Sequence, residues 1–292
     1  MVNVLKYRGI TGLTSCALML AFGCGALYKW NTRGSIFTYS VDFTGGTQFL
    51  LKFDKPVEAS LVKDALEHGG WQGIVIREFA PDELLVRVKE FAPDIKPMAD
   101  RICAVVQEKA ACGVVVEQSE AVGAGVGEAL RWKSVWAVIY ALIAMLIYIA
   151  TRFWSFSFAV GAVVALFHDA IAMLAVFMFF DREISINVIG AILAVLGYSI
   201  NDTIVIFSKI RDNLRAMGNA SIETVVETSI SQTLIRSILT SFTTALTVGA
   251  MFILGGEALR DFSLALLVGI VFGTYSSIYI ASPVMMLLYG KR

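Results

Sequence analysis

Six long apolar stretches, separated by polar segments, run along the chain and predict six membrane-spanning helices. A helix needs about 20 residues to cross the roughly 30 Å hydrocarbon core of a bilayer. The stretches lie at 9–28, 134–150, 156–180, 184–207, 233–254 and 262–289. The first is longer than the apolar core of a signal peptide, and no convincing cleavage site precedes Lys29, so we interpret it as an uncleaved span.

A different pattern occupies residues 29–133, between the first two apolar stretches. Alternating apolar and polar positions predict strands at 36–43, 47–53, 73–79, 84–89 and 113–120, with helices at 56–68 and 97–111. The closing β-α-β-β-α-β order is typical of a ferredoxin-like α+β domain. The glycine-rich segment 122–128 lacks the strand-to-helix context of a phosphate-binding loop, and we interpret it as an elbow that leads into the second span.

These patterns divide the chain into three parts. Residues 1–28 are the N-terminus and first span, residues 29–133 are an external α+β domain with its elbow, and residues 134–292 are a five-helix bundle. The predicted fold class is therefore an α-helical membrane protein with six transmembrane helices and a small external domain between helices 1 and 2.

Composition and charge support this division. The chain has 57% hydrophobic and 16% charged residues, whereas a soluble domain carries about 25% charged residues. Of the 48 charged residues, 28 lie within residues 29–133, so the spans are nearly free of charge. The net charge is zero, and no basic excess indicates nucleic-acid binding.

The distribution of Lys and Arg predicts the orientation in the membrane. An even number of spans places both termini on the same side. Nine basic residues lie in the segments grouped with the termini, whereas the two short loops of the opposite side carry Arg182 and Arg260. By the positive-inside rule, both termini are cytoplasmic and residues 29–133 are external.

The external domain shows no residue pattern typical of a metal site, a nucleotide site or a catalytic nucleophile, and we expect no cofactor. Its Cys103 and Cys112 lie nine residues apart around one predicted helix, and Cys16 and Cys24 lie in the first span. A rigid helix would keep the external pair apart, so we favour four free thiols over a disulfide.

Ionisable residues inside the apolar stretches are the strongest functional signal, because charge in lipid is costly. His168 and Asp169 lie in the third span, and adjacent positions on a helix diverge by about 100°, so we expect one of them to face the interior. Asp202 in the fourth span and Arg236 near the start of the fifth fall at similar depth, where an ion pair is reasonable. Two interpretations remain open: a static structural pair, or a carboxylate whose pairing changes on protonation.

Small and polar residues recur at helical spacing near these charges. Thr240, Thr243 and Thr247 continue the face of Arg236 in the fifth span. Tracks of small residues in two other spans would allow close helix approach. These tracks are Gly190, Ala194, Gly197 and Asn201 in the fourth span, and Gly269 and Gly273 in the sixth. We predict a packed polar seam, in which the Thr stripe is either packing or a path for water.

Several motifs resemble those of the SecD/SecF family of protein-export proteins, and of its SecF members in particular. The segment Asp42, Phe43, Thr44, Gly45, Gly46 and Thr47 matches the family's DFTGGT motif. Further matches are residues 197–203 (GYSINDT), 209–213 (KIRDN), 232–237 (QTLIRS), 254–256 (LGG), 261–262 (DF), 152–153 (RF) and 168–169 (HD). Ala124 stands where members often have Pro in the elbow, and Ser208 where many have Asp.

The resemblance implies an accessory subunit of the Sec protein translocase in the bacterial inner membrane, a transport protein rather than an enzyme. It would work with SecD beside the SecYEG channel and belong to the RND-type superfamily of proton-driven transporters. Protons would be the coupling ion, with Asp202 as the relay carboxylate, Arg236 as its basic partner, and His168 and Asp169 as further candidates. Protonation would move the external domains, which would hold the preprotein and prevent its backsliding.

Three other functions remain open. Half of a proton-driven small-molecule efflux pump is the first, although the small external domain argues against it. An intramembrane aspartic protease could use Asp169 and Asp202 as a pair that shares a proton, but the Ser-Ile-Asn-Asp context and Arg236 do not suit that chemistry. A purely structural scaffold is the third, and it would give Asp202 no role in transport.

Overall fold

The computed structural model describes residues 5–289, without the side chains of residues 257 and 258. The terminal Lys291 and Arg292, counted above among the basic residues, lie outside this range. Contacts divide the chain into two compact units. The membrane unit contains the chain up to Thr38 and from Trp136 onward, and the second unit is Tyr39–Val135.

All six predicted spans are present as long apolar helices. After a 3₁₀ turn at Leu5–Tyr7, the helices are Arg8–Arg33 (α1), Val41–Thr44 (α2), Ala59–His68 (α3), Ile95–Ala110 (α4), Ala124–Phe153 (α5), Phe156–Phe179 (α6), Ile186–Ala216 (α7), Ile222–Leu254 (α8), Gly256–Ser276 (α9) and Ser282–Tyr289 (α10). The strands are Thr38–Tyr39 (β1), Gly46–Phe53 (β2), Val75–Ala80 (β3), Glu83–Val88 (β4), Val114–Val122 (β5) and Glu183–Ile184 (β6).

Several helices extend well beyond their apolar stretches. Helix α8 begins eleven residues before the predicted span, where the Ser221 hydroxyl caps it by accepting a hydrogen bond from the backbone N–H of Thr224. Helix α5 begins ten residues early, so part of the predicted elbow at 122–128 is helical. Apolar length reports the width of the hydrocarbon core, whereas the ends of a helix are set by capping groups.

The sixth span contains a local change of helix type that the sequence analysis missed. Residues Ser277–Ala281 are π-helical and connect α9 to α10. Pro283 follows two residues after this segment, and its lack of an N–H interrupts the regular helical ladder. Such π-helical turns often occur at functional sites.

The second unit has the predicted ferredoxin-like arrangement. Its four-stranded sheet has the order β3-β4-β2-β5, and every neighbouring pair is antiparallel. In register, Phe49 of β2 faces Val86 of β4 and Ser119 of β5. Alternate strand residues and the inner faces of α3 and α4 form one core, which includes Phe49, Leu51, Leu66, Leu84, Val86 and Ile102.

The strand predicted at 36–43 is present only at its middle residues, and the rest of that prediction is wrong. Strand β1 covers two residues, and the DFTGG segment instead turns through α2, where the Thr44 hydroxyl donates to the Ser40 carbonyl. Gly45 and Gly46 have positive φ angles of 72° and 112°. Only glycine adopts such angles readily, so the glycine pair fixes a sharp turn that apolar alternation alone does not reveal.

Charged contacts attach the ends of α1 to the rest of the membrane unit. Arg8 pairs with Glu223 at 2.7 Å, and at the other end Lys29 and Arg33 both donate to Asp181. Hydrogen bonding from Lys29, with support from Arg33, lowers the pKa of Asp181. Between these ends, none of the α1 residues is buried.

The turn at Gly46 yields a testable prediction. Gly46 and Gly70 both have a positive φ, which is 96° at Gly70. A Cβ at Gly46 would also lie 2.5 Å from the Val88 carbonyl oxygen, whereas a Cβ at Gly70 would meet nothing within 4 Å. Positive φ alone costs an L-residue about 1–2 kcal/mol. We expect Gly46→Ala to destabilise the second unit clearly more than Gly70→Ala, measured by hydrogen exchange of the β2 and β4 amides in the intact protein. Equal effects would contradict the close approach.

Candidate functional site

Asp169 lies at the junction of three helices in the membrane unit. It is on α6, its side chain is fully buried, and its Oδ2 atom accepts hydrogen bonds from two serine hydroxyls. Ser199 of α7 donates at 2.7 Å and Ser276 of α9 at 2.8 Å. A hydroxyl can donate to an ionised carboxylate or accept from a protonated one, so this cluster can accommodate either state of Asp169.

A second layer of hydroxyls continues from this junction into the π-helical segment. Ser277 and Thr203 lie 2.9 Å apart through their hydroxyl oxygens, and Ser277 also donates to the Ser199 carbonyl at 3.3 Å. Helices α7 and α9 approach closely here, because a Cβ at Gly273 would lie 2.9 Å from the Ser199 Cβ. A Cβ at Gly269 would similarly collide with Val195. The predicted small-residue contact of the sixth span is therefore confirmed.

His168 and Asp169 are both buried, so the expectation that only one faces the interior is wrong. The His168 side chain is 3% exposed, and its Nδ1 atom lies 3.4 Å from an Asp169 carboxylate oxygen. The imidazole ring lies about 6.1 Å from the rings of Phe272 and Tyr275. Its Nε2 atom has no hydrogen-bond partner among the residues that the structure describes. Both neighbours therefore pack against α9, and Asp169 also contacts α7.

Asp202 is the second buried carboxylate, on α7 one turn after Ser199. It is 5% exposed, and its Oδ2 atom lies 3.4 Å from the Ser241 hydroxyl of α8. That hydroxyl in turn lies 2.6 Å from Thr274 of α9. Ser237 also faces Asp202, but its geometry falls short of a hydrogen bond. Asp202 is thus more weakly bound than Asp169.

Asp202 and Arg236 do not form the expected direct ion pair, since no contact within 4.0 Å joins them. Asp202 lies against Ser237 and Ser241, which are about one turn apart on α8, so Arg236 is at a similar depth to Asp202. Adjacent positions on a helix diverge by about 100°, so Arg236 points away from the face that Ser237 presents to Asp202. Arg236 is also solvent- or lipid-exposed, although it remains near enough to act on Asp202 electrostatically.

The predicted polar seam lies on the outside of this chain. Gly190, Ala194, Gly197 and Asn201 are all exposed on α7, and a Cβ at either glycine would meet nothing within 4 Å. Thr243 and Thr247 are exposed on α8, and each hydroxyl donates to the carbonyl four residues before it, as does that of Thr240. Neither stripe packs internally. The actual internal seam consists of serines and threonines that the sequence analysis did not select.

The DFTGG segment forms its own compact site within the second unit. Asp42 accepts a hydrogen bond from Ser40 at 3.0 Å, and the buried Phe43 packs edge-on against Tyr39. A Cβ at Gly45 would lie 2.6 Å from the Ala124 Cα, so the glycine allows the turn to contact the start of α5. Burial and the nearby Asp42 raise the pKa of Glu120 on β5.

Residues 5–289 contain no group of three or more His, Cys, Asp or Glu side chains that could hold a metal ion. The four cysteines are free thiols, as expected.

The family described as "Protein export membrane protein SecD/SecF, C-terminal" matches residues 103–291, and the "SecD/SecF GG Motif" matches residues 37–57. The chain belongs to the SecD/SecF family. The second match covers the DFTGG turn, and the first covers both buried carboxylates. The resemblance derived from the motifs is therefore confirmed.

Relatives named protein translocase subunit SecF match over nearly their whole length. The Thermodesulfovibrio yellowstonii protein is 36% identical over 100% of this chain and 95% of its own, and that of Pseudomonas aeruginosa is 37% identical over 98% and 92%. The crystal structure of SecDF from Thermus thermophilus, described as a translocon-associated membrane protein, matches with a TM-score of 0.84 and 35% identity. That match covers 98% of this chain but 38% of the SecDF chain.

The Asp169 cluster can be tested with two serines of the same helix. Ser276 and Ser263 are both fully buried on α9, but Ser276 donates to Asp169 whereas Ser263 bonds to its own helix at Leu259. We expect Ser276→Ala to lower the free energy of unfolding in detergent by roughly 1 kcal/mol. Ser263→Ala should cost clearly less, and equal losses in denaturant titrations would contradict a structural role for the cluster.

Proposed function

We propose that this protein is an accessory subunit of the Sec translocase that, together with SecD, uses the proton gradient to assist preprotein export. Family membership supports the translocase role. The observation that carries the proton-coupling part is the state of Asp202, a buried carboxylate that has one long hydroxyl contact and a nearby arginine with which it is not paired. A group in this position can change its partners when it gains or loses a proton.

The energetics of burial supply the mechanism. An ionised carboxylate inside a membrane is costly unless it is paired, whereas a protonated one needs a single hydrogen bond. Protonated Asp202 can remain at Ser241, but ionised Asp202 attracts Arg236, which lies at a similar depth on α8 and points away from it. Proton release would therefore turn α8 so that Arg236 approaches Asp202, and proton uptake would release it. This is a two-state element that a proton gradient can drive.

Two exposed stripes support SecD as the partner: Gly190, Ala194, Gly197 and Asn201 on α7, and Thr243 and Thr247 on α8. Helices α7 and α8 each present small or polar residues on an exposed face, and Arg236 lies on that of α8. Small residues let helices approach closely in lipid, where apolar surface alone gives no driving force for association. The relative from Thermus thermophilus is named SecDF and combines both names in one chain. The Gly190–Asn201 stripe is accordingly the surface on which SecD packs.

Movement of the external domain completes the proposal. A second SecDF structure, in a form described as super-membrane-facing, matches this chain with a TM-score of 0.68 at the same 35% identity, against 0.84 for the first. SecDF structures that differ in this way support conformational change in the family. In the bacterial inner membrane, with both termini cytoplasmic, the external domain would hold preprotein emerging from SecYEG and prevent its backsliding.

Two of the alternative functions, small-molecule efflux and intramembrane proteolysis, are not favoured. Family membership favours protein export over small-molecule efflux. Asp169 is bound by Ser199 and Ser276, whereas Asp202 contacts Ser241 on another helix, so they are not arranged as a pair that shares one proton.

Replacement of Asp202 tests the proton-coupling proposal. Asp202→Asn keeps the side-chain shape but cannot ionise, so we expect it to abolish the stimulation of export by a proton gradient in membrane vesicles. Copurification with SecD should persist. The control is Asp212→Asn, the same change at an exposed carboxylate of the same helix, which should leave export unchanged. Full stimulation of export by the proton gradient in the Asp202→Asn variant would contradict proton coupling through Asp202 and leave this protein only a scaffold role.

The SecD surface can be tested separately with Gly197. Leucine at this exposed glycine has room within this chain but would obstruct a closely packed partner helix. Overpacking of this kind costs about 1–3 kcal/mol, so Gly197→Leu should weaken SecD copurification by roughly tenfold or more. Gly23→Leu, at an exposed and equally open glycine of α1, is the control. Unchanged SecD binding by Gly197→Leu would place the interface elsewhere.

A further inference from the structure

A large apolar cleft separates α1 from the rest of the membrane unit. Its volume is about 1270 Å³, and its walls are formed by α1, α6, the start of α8 and the end of the sixth span. The side chains along it include Met19, Leu20, Val164, Phe167, Val284 and Leu287. Helix α1 touches the bundle beside the cleft, where the Tyr275 hydroxyl of α9 donates to the Thr11 carbonyl and lies 3.0 Å from the Thr14 and Ser15 hydroxyls. Because the cleft lies between membrane spans, hydrocarbon rather than water is available to fill it.

The length of the cleft matches one leaflet of a bilayer. On α1 it runs from Arg8 to Leu20, which is about 18 Å of helix. Half of the roughly 30 Å hydrocarbon core is about 15 Å. An acyl chain that enters at Arg8 would therefore reach the middle of the membrane near Leu20.

The mouth of the cleft opens into a smaller pocket that is charged. This pocket has a volume of about 460 Å³ and is lined by Leu5, Lys6, Arg8, Gly9, Glu223 and Glu227. Arg8, Gly9 and Glu223 line both spaces, so the pocket and the cleft are continuous. The charged side chains are two cations and two carboxylates. Arg8 and Glu223 pair with each other at 2.7 Å, but each remains about half exposed. The exposed sides of this pair can therefore bind one further group of each sign.

We infer that the cleft binds a phospholipid with an ethanolamine headgroup, whose acyl chain lies along α1. Arg8 would bind its phosphate, and Glu227 together with the exposed side of Glu223 would bind its primary ammonium through charge-assisted hydrogen bonds. A glycerol headgroup carries only the negative charge and brings no cation to Glu227. A choline headgroup has no N–H to donate. This inference does not depend on proton coupling or on the SecD surface.

Photocrosslinking of the purified intact protein tests the binding site. The probe is phosphatidylethanolamine with a diazirine in its acyl chain, in detergent, and labelled peptides are identified by mass spectrometry. We expect label on α1 between Gly12 and Leu20 and on α10. Gly12→Phe, at a glycine that lines the cleft and has free space, should abolish this label, whereas Gly23→Phe outside the cleft should preserve it. Equal labelling of both variants would overturn the site.

Competition with unlabelled lipids tests the headgroup. Phosphatidylethanolamine should compete about tenfold better than phosphatidylglycerol or phosphatidylcholine, the preference expected from one charge-assisted hydrogen bond. Glu227→Gln together with Glu223→Gln should remove that preference without removing the label. Equal competition by all three lipids in the unaltered protein would overturn the ethanolamine assignment. Loss of the label when SecD is bound would show that a protein helix occupies the cleft instead, which would also overturn the inference.

Discussion

The carboxylate of Asp169 must be hydrogen-bonded, because it is fully buried inside a bundle that crosses lipid. Its partners come from α7 and α9, so this requirement joins the three helices at the middle of the bundle. The absence of a side chain at Gly273 lets Ser199 reach it, and the π-helical segment brings Ser277 to Thr203. Helices α6 and α7 are accordingly among the most buried spans, whereas α1 has no buried residue.

Asp202 lies one turn from this fixed junction, and its environment is different. It has one long hydroxyl contact on α8, and Arg236, the neighbour of Ser237, points away from it. A tightly bound carboxylate and a loosely bound one thus occur side by side on packed helices. Such a pair suits a bundle that needs one rigid junction and one contact that can change. The outward position of Arg236 also places it beside the surface that we assign to SecD.

The apolar pattern was a reliable guide to what crosses the membrane and a poor guide to the ends of helices. Six spans follow from length alone, because the bilayer imposes one thickness on every helix. The start of α8 at Ser221 depends on a cap, and the turn at Gly45 and Gly46 depends on backbone angles. The strand predicted at 36–43 failed because Val41 and Phe43 are buried in a short helix as readily as in a strand.

The sequence by itself determined the six spans, the ferredoxin-like strand order, the four intramembrane charges and the family. Each is a property of local pattern or of a contiguous motif. Tertiary structure decided which of those charges are bound. Asp169 is bound by serines and Asp202 loosely by Ser241, whereas Arg236 has no carboxylate within 4.0 Å among residues 5–289. It also decided that Gly197 and Thr243 face outward. Helical spacing shows which residues share a face, but only the packing of helices shows what that face meets.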